Sequence, residues 1–140
     1  MLKKLNFFLA LINYICDSIT MIAKQQLLNF DNLAFHTHPS CDKAVMAQLN
    51  MGDITISVVA NIADGHGLYG HLDDDEYEVA MWKKGSADMI PLSVSDDVLA
   101  AQSPVQVSKL MRDAQLDGDA WVDLLRKLRK DFRDELGLDD

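Results

Sequence analysis

The sequence predicts an α+β fold: a short antiparallel sheet of four to five strands over about residues 32–94, then two C-terminal helices over about 104–116 and 119–136. Two observations predict it. Apolar and polar residues alternate through the middle of the chain, whereas after Ser103 apolar residues recur every three or four positions. Clusters of Gly, Pro and Asp separate these stretches. With 140 residues, 49% of them hydrophobic, the chain has room for one core and no second. Residues 21–140 therefore read as a single α+β domain, and residues 1–20 stand apart from it.

The first 23 residues admit three readings. Lys3 and Lys4 ahead of the apolar run Leu5 to Cys16 suit a signal peptide, which would place the protein in a periplasm or outside the cell. The cleavage region is poor, with Ala23 preceded at −3 by Met21. The run is too short for a spanning helix, which needs ~20 apolar residues. Leu5, Phe8, Leu9, Ile12, Ile15, Ile19 and Ile22 recur at helical spacing, which suits an N-terminal helix docked on the domain. In the third reading Met21 is the natural start and the preceding residues are upstream sequence read through.

The elements of the domain follow in order. Asn32 to His38 has strand character and stops at Pro39. KAVMAQLN and ITISVVANI, joined at Met51-Gly52-Asp53, read as a hairpin, with Ile54, Ile56 and Val58 alternating against Thr55, Ser57 and Val59. Ala63 to Asp75 reads as a loop. Glu76 to Trp82 places Tyr77, Val79 and Met81 on one face, and ADMIPLSV reads as a last edge strand limited by Pro91. Ser103-Pro104 is a helix cap with a first-turn proline, and Val107, Leu110, Met111 and Ala114 form the buried stripe that follows. Asp117-Gly118-Asp119 is expected to break this helix. The next one carries Trp121, Leu124, Leu125, Leu128, Phe132 and Leu136 on one face, ending at Gly137.

Charge bounds the function. The net charge is −9 and the pI about 4.7, so direct nucleic-acid binding and anionic membranes are disfavoured. Asp17 to Leu125 carries 17 acidic and 6 basic residues, a net of −11, whereas Arg126 to Arg133 carries a net of +4. The acidic candidate surface is Asp73, Asp74, Asp75, Glu76 and Glu78 with Asp96 and Asp97. The basic candidate surface is Arg126, Lys127, Arg129, Lys130 and Arg133. Two cysteines, Cys16 and Cys41, are too few for a disulfide scaffold and suit a reducing cytoplasm.

No cluster makes a strong catalytic or metal motif. His36-Thr37-His38-Pro39 resembles the His-x-His-Pro heart of the JAMM metalloproteases. That family's Ser and Asp follow at a longer spacing than Ser40 and Asp42, and the glutamate it needs upstream is missing before His36. His66 and His71, near Asp73 to Glu76, lack the alternate-ligand spacing of a calcium loop. Neither the G-x-x-x-x-G-K phosphate loop nor the G-x-S-x-G nucleophile elbow occurs. No cofactor is implied, and the chain reads as non-enzymatic. The alternative is a small metal-dependent enzyme built on His36 and His38, with His66 or His71.

ISVVAN, EYEVAMW and SDDVLAAQSPVQVSKLMRDAQ, in that order, resemble small α+β proteins encoded by phages and prophages, a group without an assigned activity. The resemblance covers about residues 42–115. It implies a cytoplasmic accessory protein of a bacterial mobile element. The expected function is binding of a host or phage protein with a basic surface, in its sharpest form as a DNA mimic. Oligomeric state is not fixed by the sequence.

Overall fold

The computed structural model describes residues 9–13, 27–62 and 70–138. Five strands form one antiparallel sheet in sequence order: β1 (His36–His38), β2 (Cys41–Met51), β3 (Ile54–Asn61), β4 (Tyr77–Lys83) and β5 (Val98–Gln102). The helix α1 (Pro104–Glu135) follows and packs its first half on the sheet. The α+β class and the strand number agree with the sequence.

The β2–β3 hairpin forms where expected, in register from Met51↔Ile54 to Ala44↔Asn61, with Gly52 at φ 73 in the turn. Positive φ at the first of the two turn residues, and not at Asp53, is the type II′ pattern, which glycine adopts without steric cost. Ile54, Ile56 and Val58 enter the main core with Tyr77, Val79 and Met81. Val59 points the other way and is also buried, packing with Ala44 and Met46 in a small cluster. Thr55 is buried on that side too, its hydroxyl donating to Asn50 Oδ1 at 2.7 Å. β3 is thus covered on both faces, as its nearly continuous apolar run allows.

Three expectations are corrected. The chain from Asn32 to His38 supplies only three strand residues, because Phe30–Asn32 form a 3-10 turn capped by Asn29. The edge strand expected over ADMIPLSV is a single bridge, Trp82↔Met89; Ile90, Pro91 and Leu92 are buried as irregular chain. Pro91 has no N–H to give a ladder. The last strand is instead Val98–Gln102, beyond the expected limit of the sheet, pairing with β4 through Ala80↔Val98 and Tyr77↔Gln102.

The third correction concerns the helices. One long helix stands where two were expected. Ser103 caps it, its hydroxyl accepting from Gln106 N while Gln106 Oε1 accepts from Ser103 N. The break expected at Asp117-Gly118-Asp119 is present as a kink, at which two helical halves meet within the one element. Only Gly118 leaves helical geometry, at φ 45 and ψ −118, so the element kinks and continues. Val107, Met111, Ala114, Trp121 and Val122 are buried, and Leu125 is partly so. Leu124, Leu128 and Leu136 are exposed, contrary to the expected buried face. The sheet is already covered by Val107 to Val122, and the second half of the helix runs on beyond that core.

Residues 9–13 are helical, with Leu9, Leu11 and Ile12 exposed. The rest of the N-terminal segment, on which the signal-peptide, docked-helix and read-through readings fall, lies outside the described residues. Among the described residues no helix is long and apolar enough to cross a membrane.

Candidate interaction surfaces

The acidic cluster sits on a defined turn rather than in an open loop. Asn61 N donates to Gly70 O at 2.8 Å, which fastens the chain to the end of β3. A Cβ at Gly70 would lie 2.8 Å from Glu76 O and from Tyr77 Cα, so glycine is required for this close approach. Leu72–Asp74 then form one 3-10 turn, closed by Asp74 N to His71 O at 3.1 Å and Asp75 N to Leu72 O at 3.0 Å. Asp75 takes a left-handed conformation (φ 55), which aspartate tolerates better than most residues. Its Oδ1 accepts from Tyr77 Oη at 3.0 Å.

Tyr77 anchors the turn. Its ring lies 5.0 Å from Phe30 and 5.5 Å from Phe35, centroid to centroid. Burial, then the hydrogen bond to Asp75 and that carboxylate's charge, push its phenol up to about 12. Asp73, Asp74 and Asp75 are exposed and Glu76 is half-buried. Among the described residues no ion pair neutralises any of these four. Glu78 follows on β4, half-buried and on the face away from Tyr77 and Val79.

Asp96 and Asp97 do not join this cluster. They precede β5, whose far end, Gln102, pairs with Tyr77. Five strand residues separate the two acidic groups, roughly 17 Å at ~3.3 Å per residue. Asp97 is also engaged: Arg129 Nη1 donates to its Oδ1 at 2.5 Å.

The basic face divides into two parts. Arg126, Arg129, Lys130 and Arg133 line a cleft of about 640 Å³ against Asp88 and Asp97, with Met89 and Pro91 as its apolar wall. Arg129 closes one end, donating through Nη2 to Ser93 O at 2.7 Å and to Asp96 O at 2.6 Å. Lys127 points away from this cleft and pairs with Asp131 at 2.7 Å, as Lys130 does with Asp134 at 2.6 Å. Sequence reasoning named the cations, and named Asp96 and Asp97 as part of the acidic surface, but missed Asp88 and the facing of the Ser93–Asp97 segment toward the cations. These contacts span 32 and 36 positions, and no local pattern encodes such a distance.

The histidines are turned to local bonds. His36 Nδ1 lies 2.9 Å from Thr37 O, and His38 Nδ1 accepts from Ser40 N at 3.0 Å. His71 sits at the start of the acidic turn, bridged to Asn61; His66 lies outside the described residues. Among the described residues no three His, Cys, Asp or Glu side chains converge as metal ligands.

No protein-family model matches this chain, and neither a curated protein nor a solved structure matches it.

Proposed function

We propose that the chain is a non-enzymatic interaction protein of phage or prophage type that binds a partner protein with a basic surface in a bacterial cytoplasm. The observation that carries this reading is the acidic turn. Asp73, Asp74, Asp75 and Glu76 are presented on a hydrogen-bonded turn buttressed by Tyr77, without a compensating cation among the described residues. Such a cluster raises the rate of encounter with a basic surface and selects against acidic ones.

The DNA-mimic form of the reading needs negatives arranged in a continuous stripe. The separation of Asp96 and Asp97 from the turn, and the Arg129 contact to Asp97, support a compact acidic knob instead. The metal-enzyme alternative draws no support from the local bonding of His36 and His38.

The test compares the parent with a variant carrying Asp73→Asn, Asp74→Asn, Asp75→Asn and Glu76→Gln, which keeps side-chain volume and removes four charges. Proteins captured from host lysate at low salt are identified and titrated against both. A partner with a basic surface is expected to bind the parent in a salt-sensitive way, with a Debye length of ~8 Å at physiological ionic strength, and to bind the variant more weakly. Duplex DNA should not be retarded in a gel shift. Unchanged affinity and salt dependence in the variant would sink the acidic-turn reading.

A further inference from the structure

We infer that the exposed leucine row on the second half of α1 is the interface of an antiparallel homodimer. Leu124, Leu128 and Leu136 are 53%, 46% and 58% exposed, and half-buried Phe132 completes the row at strict i, i+4 spacing. Side chains four apart form the ridges along which helices most often interdigitate, crossing at about −50°.

The row is its own complement. A two-fold axis must bring one patch onto the same patch in the second copy. Centred on residue 130, it sets Leu124 opposite Leu136 and Leu128 opposite Phe132. Apolar side chains thus meet at every position of the row.

Charge decides the direction. The neighbouring row toward solvent is Lys127, Asp131 and Glu135, all exposed. In the antiparallel pair Lys127 comes level with position 133, between Asp131 and Glu135 of the second copy. In a parallel pair the two-fold would set this row beside the Leu125, Arg129 and Arg133 row of the second copy, which is half-buried and in which Arg129 is already bound to Ser93, Asp96 and Asp97. The row on the other side, Leu125, Arg129 and Arg133, is half-buried against the domain, so the leucine row is the rim left open. Four apolar side chains per copy make an interface small beside the ~1,200–2,000 Å² of stable complexes, so association should depend on concentration.

Sedimentation velocity of the full chain over a concentration series tests this. The parent should pass from the chain mass to twice that mass. Leu124→Glu with Leu128→Glu should stay monomeric throughout, with an unchanged circular-dichroism spectrum because both side chains are exposed. Lys127→Glu leaves the apolar row intact and should weaken association about tenfold by making the flanking row all acidic. Adding Asp131→Lys and Glu135→Lys reverses the row's pattern and should restore association. A parent that stays monomeric would overturn the inference. So would a dimer that survives the double leucine variant, which would place the contact elsewhere, for instance at the exposed Leu9, Leu11 and Ile12. Failure of the charge-reversed row to recover association would overturn the antiparallel pairing.

Discussion

At the scale of single residues, the acidic turn depends on two side-chain choices. Gly70 is one, since any Cβ there meets the backbone of Glu76 and Tyr77. Tyr77 is the other, because its phenol joins the aromatic cluster to the turn through Asp75. Its folded pKa of about 12 lies above the ordinary value of 10.0. Deprotonation is therefore harder in the folded state than in the unfolded one. The stability this contributes is fully present below pH 10 and is lost as pH rises toward 12. Alkaline unfolding should begin in that window, and Tyr77→Phe should flatten the pH dependence there while removing the late phenolate transition from the ultraviolet titration. A variant whose melting temperature falls between pH 10 and 12 as steeply as the parent's would contradict this role for Tyr77.

The elements divide into those that local pattern specifies and those it does not. The hairpin, β4 and the cap at Ser103 follow from alternation, Gly52 and the Ser-Pro pair, and all form as expected. β5 was hidden because Ala100 and Ala101 are poor strand formers and two aspartates precede it; its existence depends on pairing with β4. Ala101 even takes φ 53 where the register shifts. The acidic residues were legible as a cluster, but their order on a turn was not, because it comes from Gly70 bonding to Asn61 rather than from its own composition. Helix periodicity revealed the apolar face of α1 without saying how far the core reaches. Trp121→Ala should therefore cost about 3–5 kcal/mol, while Leu128→Ala should leave monomer stability within ~0.5 kcal/mol, as surface changes do. At Gly118 the usual helix rule reverses. Alanine normally improves on glycine in a helix by about 1 kcal/mol, yet φ 45 with ψ −118 is closed to it. Gly118→Ala should lower the melting temperature, and a rise would mean the kink is not part of the stable fold.

On the scale of the whole molecule, contacts distant in sequence hold the helix to the rest of the domain at three places. Along its first half, Gln115 accepts from Leu28 N and donates to Leu28 O, both at 2.8 Å, and Ser108 Oγ accepts from Phe30 N at 3.0 Å. At the kink, Lys83 pairs with Asp119 and holds that carboxyl below the ordinary carboxylate range. Beyond Leu125, where the core ends, Arg129 takes over. Its guanidinium reaches two backbone carbonyls, Ser93 O and Asp96 O, and the Asp97 carboxylate, gathering the segment before β5 onto the helix. Three acceptors in three directions suit a planar fork with five donors and not the single ammonium of lysine. The side chain is only partly exposed, at 24%, so the contact is screened less than an ordinary surface pair, and its loss should cost about 1–2 kcal/mol. Arg129→Ala should speed amide exchange through residues 93–102 more than in β2 or β3, because the tie acts on the sheet's edge and not on its centre. Arg129→Lys should behave nearly as the alanine variant does. If lysine instead restores parental exchange, then charge alone holds this edge, and high salt should release it in the parent as well.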